Sequence, residues 1–311
     1  MIENNSIKRQ PLSRDKRKAI AMDRIFIVAM LILPLTTFIC SWVFVNFNSV
    51  LMAFQLPTGE WSLDTFALVF RNLRGEINDP DFALTLAFKN AMIWFFINVM
   101  KLPFHLLIAY FFYKRIAGYK AFQIIFYLPT IISDVVTASL YSELLAPTGP
   151  IGLILGAFGV EKIPAFLADS RYTMSALVIY SLWLGWGGNM LLFSGALARI
   201  PTEMLESARL DGVGPFREFV NFIIPMVWST LSTLLILNMT SIFGMTGPVM
   251  LFTQGNWGTM TLGYWIYHKV LYGGPADYNE VAATGLLFTL ITVPVIMFFR
   301  WLIERVPIVE Y

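Results

Sequence analysis

Long apolar runs separated by short polar connections dominate this sequence. Residues 1–24 are polar and basic, and an apolar run follows from Ile25 to about Phe47. About 20 apolar residues in a helix cross the ~30 Å hydrocarbon core of a bilayer. The run is longer than the apolar core of a signal peptide and lacks a small-residue cleavage site. The pattern predicts a polar tail over 1–24, a first transmembrane helix over 25–47, and a polar extramembrane loop over 48–81.

Five further spans are predicted in the region 82–305. They lie within Leu84–Tyr113 and at about 121–141, 172–197, 222–243 and 281–302, and a short tail, 306–311, follows. Pro103 and Pro294 are expected to bend two of these helices. The apolar piece 151–158 is too short to span and is interpreted as an interfacial or re-entrant segment. The expected fold is therefore all-α, a polytopic membrane protein with six spans.

The amino-acid composition supports the class of membrane proteins and disfavours several kinds of binding site. Of the 311 residues, 57% are hydrophobic and 14% are charged, whereas soluble domains have about 45–50% and about 25%. A net charge of +2 gives nucleic-acid binding no electrostatic support. The single cysteine, Cys40, excludes an intrachain disulfide and, with two histidines, disfavours a Cys/His metal site.

The distribution of lysine and arginine orients the predicted spans. With the N-terminus inside, the cytoplasmic pieces carry 15 of the 22 Lys and Arg residues and the outer pieces carry 5, while Lys89 and Lys101 lie in the second span. Positive residues accumulate on the cytoplasmic side of membrane proteins. Both termini and the loop 199–222 are therefore expected in the cytoplasm, and the loop 48–81 outside.

The most polar stretch between two spans is 200–225, IPTEMLESARLDGVGPFREFVNFIIP. Pro201 suits the first turn of a helix, and Glu203–Leu210 are mostly good helix formers. Gly212 and Gly214 permit a tight turn, and Pro215 suits the start of a second helix. The stretch predicts a helix, a glycine turn and a second helix, with Ile224 and Pro225 opening the next span.

This stretch resembles the "EAA" loop of binding-protein-dependent ABC importer permeases. Glu206-Ser-Ala-Arg-Leu-Asp-Gly212, with the distal Ile223-Ile224-Pro225, is similar to the carbohydrate-importer branch, the maltose- and lactose-type permeases. Ser207 stands where the family usually has Ala. The resemblance implies a permease core whose cytoplasmic coupling helix docks in a cleft of an ATPase, with coupling residues Glu206, Ser207, Ala208, Asp211 and Gly212.

The same resemblance implies the partners. A second homologous permease would complete the pore, two ATPase subunits would bind ATP, and an extracytoplasmic solute-binding protein would deliver a carbohydrate. The chain has no G-x-x-x-x-G-K-[ST] phosphate loop, so ATP hydrolysis and its cofactor would belong to the ATPase subunits. The expected location is the cell membrane, in contact with lipid.

Polar residues inside the apolar spans are candidates for the substrate path. Asp134, Asn189 and Asn238 would turn away from lipid, and Trp186 and Tyr141 offer aromatic faces for a sugar. For the three polar residues a path that binds sugar hydroxyls and simple interhelical hydrogen bonding are about equally supported. Interhelical bonding or snorkelling is favoured for Asn98 and Lys101.

Two other classes of function stay open at this point. A self-sufficient channel or secondary transporter would want paired hydrophobic repeats or a chain of membrane acids, and neither is evident. A membrane-embedded enzyme would depend on Lys101, His105 and Asp134, which are scattered along the sequence. The expectation is a transport protein and not an enzyme, with no catalytic or metal-binding residues.

Overall fold

A computed structural model describes residues 14–75, 84–244 and 246–306. Apart from one isolated antiparallel bridge between Gln55 and Trp61, this part of the chain consists of helices and their connections, which confirms the all-α prediction. In chain order the helices are α1 (Arg14–Thr37), a π-helical segment (Phe38–Val43), α2 (Phe44–Ala53), α3 (Asp64–Leu73), α4 (Leu84–Tyr113), α5 (Tyr119–Ile131), α6 (Asp134–Leu145), α7 (Pro150–Ala157), α8 (Thr173–Leu184), α9 (Trp186–Leu197), α10 (Thr202–Leu210), α11 (Pro215–Glu218), a second π-helical segment (Phe219–Ile223), α12 (Ile224–Met226), α13 (Trp228–Met239), a 3₁₀ turn (Thr240–Phe243), α14 (Gly247–Phe252), α15 (Leu262–Tyr272) and α16 (Pro275–Ile303).

Four helical segments of the described chain are long and apolar enough to cross a bilayer alone. They are Met22–Ala53, Leu84–Tyr113, Thr173–Leu197 and Pro275–Ile303. Two further apolar pairs are bent, Tyr119–Ile131 with Asp134–Ala157 by 110° and Pro215–Met226 with Trp228–Met239 by 74°. The number of spans is six only if each bent pair counts as one.

The predicted third span, 121–141, is therefore not one continuous helix. Ile132 and Ser133 both have extended backbone, with ψ of 146° and 145°, so the helical hydrogen-bond ladder stops between them. Ser133 then caps the next helix by accepting from the Val136 amide at 3.5 Å. The predicted fifth span, 222–243, is likewise interrupted at Val227, two residues after Pro225.

The first span is longer than predicted. Helical structure continues to Ala53 and does not stop at 47, because the polar side chains near its end bond back to its own backbone. Asn46 donates to the Trp42 carbonyl at 2.7 Å and Ser49 to the Val45 carbonyl at 2.9 Å. None of the apolar window of this helix is buried in the rest of the chain. It joins the bundle only at its end, where Asn279 donates to the Met52 carbonyl at 3.0 Å.

The predicted outer loop, 48–81, also contains an ordered amphipathic helix, α3. Val69 and Asn72 of this helix are buried against the bundle. Residues 76–81 of that loop, 1–13 of the predicted N-terminal tail and 307–311 of the C-terminal tail lie outside the described residues.

Helix α4 contributes residues to two of the buried apolar clusters of the protein. Its 30 residues make it about 45 Å long. Leu84 and Trp94 in its first half belong to one buried apolar cluster, and Leu102 and Leu106 in its second half belong to another. A third, smaller cluster joins α6 to α8 through Tyr141 and Tyr180. The two clusters on α4 therefore leave a polar band at its middle.

Beside the starting end of α4, where Thr85 donates to the Asn72 carbonyl at 3.2 Å, lies a group of ionic and amide side chains that we call the Glu280 cluster: Asn72, Lys269, Asp277 and Glu280. The Lys269 ammonium donates to Asp277 at 2.6 Å and to Glu280 at 2.7 Å, and Asn72 donates to the other oxygen of Glu280. Burial alone would lower the pKa of Lys269, but its bonds to the two carboxylates raise it. The cluster ties α3, α15 and α16 together.

Candidate functional site

The stretch 200–225 folds as the sequence predicts, into a helix, a glycine turn and a second helix. Helix α10 ends in a Schellman motif, in which the Gly212 amide donates to the Arg209 carbonyl at 3.0 Å and the Val213 amide to the Ala208 carbonyl at 3.1 Å. Gly212 has a φ of +79°, in the left-handed region that favours glycine and disfavours β-branched residues. Pro201 precedes the helix as its N-cap and is not part of its first turn.

Helix α10 has a buried face and an exposed face. Leu205 and Ala208 are buried against the chain itself, and Leu205 belongs to the apolar cluster of the second half of α4. At 100° per residue the opposite face carries Glu203, Glu206, Ser207 and Leu210, all exposed. Leu210 is 91% exposed, an unusual position for a large apolar side chain beside solvent.

Burial divides the five predicted coupling residues. Glu206, Ser207, Asp211 and Gly212 are exposed, whereas Ala208 is 4% exposed. Ala208 faces inward, one turn from Leu205, and so does not belong to the exposed surface of α10 in this conformation. Its small side chain instead lets α10 seat closely on the bundle.

Beneath this helix lies a buried carboxylate that the sequence analysis did not identify. Glu218 is 1% exposed; its Oε2 accepts from the Lys114 ammonium at 2.7 Å, and its Oε1 lies 2.5 Å from the same ammonium. The Arg209 guanidinium on α10 lies 3.4 Å from the same carboxylate. We call Lys114, Arg209 and Glu218 the Glu218 cluster. This cluster ties the stretch 200–225, which we call the coupling segment, to the far end of α4. The Lys114 ammonium also lies 5.4 Å from the centre of the Tyr110 ring.

The predicted path residues Trp186 and Asn189 meet on one side of α4. The Trp186 ring lies edge-on to His105, with ring centres 4.8 Å apart, and Asn189 Nδ2 lies 3.4 Å from His105 Nδ1. Phe126 covers another side of Trp186 at 5.4 Å. His105, which the sequence analysis considered only for an enzyme, is thus the residue that brings the two together.

Asn238 reaches the same face of α4 indirectly, through Asn98, which lies seven residues before His105. Its side-chain amide donates to the Leu234 carbonyl of its own helix at 2.8 Å, and its backbone carbonyl accepts from the Ser241 hydroxyl at 2.6 Å. Asn98 of α4 donates to that Ser241 hydroxyl at 3.1 Å. Asn98 and His105 therefore join α4 to the two neighbouring helices, as interhelical hydrogen bonds do.

Asp134 lies apart from these contacts. It is exposed at the start of α6, and its backbone carbonyl accepts from the Tyr180 hydroxyl at 3.3 Å. Tyr141 is buried, donates to the Ala176 carbonyl at 2.9 Å and packs against Tyr180 with ring centres 5.2 Å apart. Tyr141 is therefore a core residue in this conformation, and Asp134, Lys101 and His105 do not form one group.

The known proteins that are similar to this chain are membrane components of transport systems. Residues 94–307 match the model of the family described as "Binding-protein-dependent transport system inner membrane component". The probable ABC transporter permease protein YurN of Bacillus subtilis is 27% identical over 53% of this chain. The sn-glycerol-3-phosphate permease UgpA of Salmonella choleraesuis is 31% identical over 59%, and the maltose/maltodextrin permease MalF of Escherichia coli is 27% identical over 58%. These alignments cover 58%, 63% and 37% of the three relatives, so the chain spans less than two thirds of each one's length.

The fold is also found among solved structures. A chain of a bacterial ABC transporter involved in the import of the acidic polysaccharide alginate superimposes with a TM-score of 0.77 at 20% identity, over 93% of this chain and 99% of the other. A chain of the bacterial alginate transporter in complex with its pentasaccharide-bound periplasmic protein gives 0.76 at 21% identity, over 92% and 96%. At this identity the likeness establishes the fold alone.

Proposed function

Because this chain belongs to the binding-protein-dependent transport system inner membrane components, we propose that it is the permease subunit of an ATP-driven carbohydrate importer. In this proposal it forms half of a pore with a second homologous permease, two ATPase subunits supply energy, and an extracytoplasmic solute-binding protein delivers substrate. The carbohydrate assignment is supported by the relative named for maltose and maltodextrin transport; another relative is named for transport of sn-glycerol-3-phosphate, a phosphorylated polyol.

The observation that carries the proposal is the rigid helix α10 with its exposed apolar end. Leu210 is 91% exposed and Phe216, just beyond the glycine turn, is 79% exposed. Exposed large apolar groups flanked by polar residues mark protein contacts. Polar groups surround these two side chains, from Glu206, Ser207 and Asp211. This surface therefore fits a cleft on an ATPase. Two residues would keep the helix in its docking position, Ala208 and Gly212.

The mechanical consequence follows from how α10 is held. The Glu218 cluster fixes it to the end of α4, and the chain continues through Pro225 and the bend at Val227 into α13. A push on α10 would therefore reach the helices that carry Asn189 and Asn238. The orientation with this loop and both termini in the cytoplasm, expected from the charge count, is part of the proposal.

The test is Leu210→Asp in the assembled transporter. We expect loss of the ATPase from the purified complex and loss of ATP-driven oligosaccharide uptake in proteoliposomes, because a carboxylate would have to be buried in the cleft. Met204→Asp, on the flank of the same helix and 36% exposed, is the matched control and should have a weaker effect. Full ATPase recovery and uptake with Leu210→Asp would refute α10 as the docking element.

A further inference from the structure

The middle of α4 carries a positive charge between two apolar clusters. Lys101 lies about 4 Å along the helix axis from the midpoint of Leu84–Tyr113. Gly185, the central residue of the segment Thr173–Leu197, lies beside it, since a Cβ atom added to Gly185 would be 3.4 Å from the Lys101 ammonium. Both helices therefore place this contact near the bilayer midplane.

A lysine at that depth needs a partner. The hydrocarbon core is about 30 Å thick, so a side chain of four methylenes cannot carry its charge from the middle to either interface. In the described part of the chain no carboxylate forms an ion pair with Lys101, and the side chain one helical turn further along α4 is the basic His105. Two basic groups thus share this site without an acid.

The residues around His105, which lies one helical turn along α4 from Lys101, suit a saccharide. Trp186 supplies an aromatic wall, and Asn189 supplies amide donors and an acceptor. Gly185 and Gly188 have no side chains, and the space around a Cβ at Gly188 is open, so a ligand could approach the backbone there. Lys101, Trp186 and Asn189 are all half-buried, which leaves each of them one accessible side.

We propose that Lys101, with Asn189 and Trp186, forms a subsite for the anionic group of an acidic saccharide, either a carboxylate or a phosphate. This inference rests on the proposed function and names its substrate class. The anion would supply the charge that Lys101 lacks in the described chain, through an ammonium–oxyanion hydrogen bond of the strong, charge-assisted kind. Asn189 would bind a neighbouring hydroxyl, and Trp186 would cover the apolar side of the sugar ring.

The test uses the complete transporter in nanodiscs, without the solute-binding protein, so that selection by that protein does not enter. Isothermal titration calorimetry would compare tri-galacturonate with its methyl ester, and glucose 6-phosphate with glucose. The variants are Lys101→Gln, which removes the charge, and Lys101→Arg, which keeps it. Lys89→Gln is the matched control, because Lys89 is exposed on the same helix.

We expect Lys101→Gln to weaken binding of the charged probe by about tenfold and to leave its neutral counterpart unchanged. Lys101→Arg should retain most of the affinity, and Lys89→Gln should have no effect. A charge-dependent loss with tri-galacturonate alone identifies a carboxylate site, and a loss with glucose 6-phosphate alone identifies a phosphate site.

Three results would overturn the subsite. One is an equal loss for charged and neutral probes, another is no loss for either, and the third is no binding of any charged probe to the unmodified complex. Dissociation of the second permease by Lys101→Gln would mean that the missing counter-charge belongs to that subunit, and would also overturn it. ATP-driven uptake of neutral oligosaccharides, measured separately, tells whether the proposed function survives any of these outcomes.

Discussion

A cluster of charged side chains lies beside each end of α4, and the two clusters balance their charges in different ways. At its far end the Glu218 cluster places one carboxylate between two cations, Lys114 and Arg209. At its starting end the Glu280 cluster places one cation, Lys269, between two carboxylates. Each end therefore has one central charge, but of opposite sign, and the net charge is +1 at the first and −1 at the second.

The difference lies in what remains when one member is lost. Loss of Glu280 leaves Lys269 paired with Asp277, and loss of Lys269 still leaves the amide of Asn72 beside Glu280. Loss of Glu218, which is 1% exposed, leaves both Lys114 and Arg209 without their shared acceptor. Each cluster therefore depends most on its central charge, which is Glu218 at the end that holds the stretch 200–225 and Lys269 at the opposite end.

Glu218→Gln should have the largest effect, since it leaves the Lys114 ammonium, which is largely buried, without its counter-charge. Breaking a buried pair from one side typically costs about 3–5 kcal/mol of stability. Thermal unfolding of the purified permease would measure it, and Lys114→Gln combined with Glu218→Gln should recover part of the loss. If the single variant unfolds like the unmodified protein, Glu218 does not hold the coupling segment.

Glu280→Gln should have a smaller effect, about 1–3 kcal/mol, because it removes one charge-assisted bond and leaves Asp277 in place. Since the pKa of Lys269 is raised above its usual value, its stabilising charge is complete at neutral pH and is lost only as the pH rises through the shifted value. Thermal unfolding between pH 7 and 9 should therefore be unaffected by this group. A loss equal to that of Glu218→Gln would remove the contrast between the two ends.

Gly212→Val should have the smallest effect on stability, about 1 kcal/mol or more, because φ at this position is +79° while no atom lies within 4 Å of an added Cβ. The strain would be in the backbone of the Schellman turn and would tilt α10 rather than open the core. Gly212→Asn is the matched control, since asparagine tolerates this backbone region. ATPase recovery and uptake should fall for valine and persist for asparagine; equal behaviour of the two would contradict the turn argument.

Sequence patterns predicted features that are encoded locally. The helix Leu84–Tyr113 and the glycine turn after α10 follow from an uninterrupted apolar run and from the spacing of Gly212 and Pro215. The sequence pattern did not predict the break at Ile132, because apolar residues continue across it. Only the capping pair Ser133–Asp134 marks the start of a new helix there. Leu205 and Ala208, three residues apart, did carry a signal for a buried helix face.

Glu218 could not be recognised in this way. It follows Arg217 in a polar loop, where a charged residue is ordinarily solvated, and its main partner lies 104 positions earlier in the sequence. The site around His105 has the same origin, because His105 and Asn189 are 84 positions apart. Such contacts arise from the packing of distant helices, which no local period encodes.

The helix Met22–Ala53 has a consequence for how the chain enters the membrane. Because none of its apolar window is buried by the rest of the protein, its partition from water into lipid gains nothing from the later helices. During synthesis it can settle in the bilayer before α4 has left the ribosome. Its last ten residues, α2, pack against α16, and Asn279 of α16 donates to the Met52 carbonyl, so this part of the helix completes its contacts only when the last span arrives.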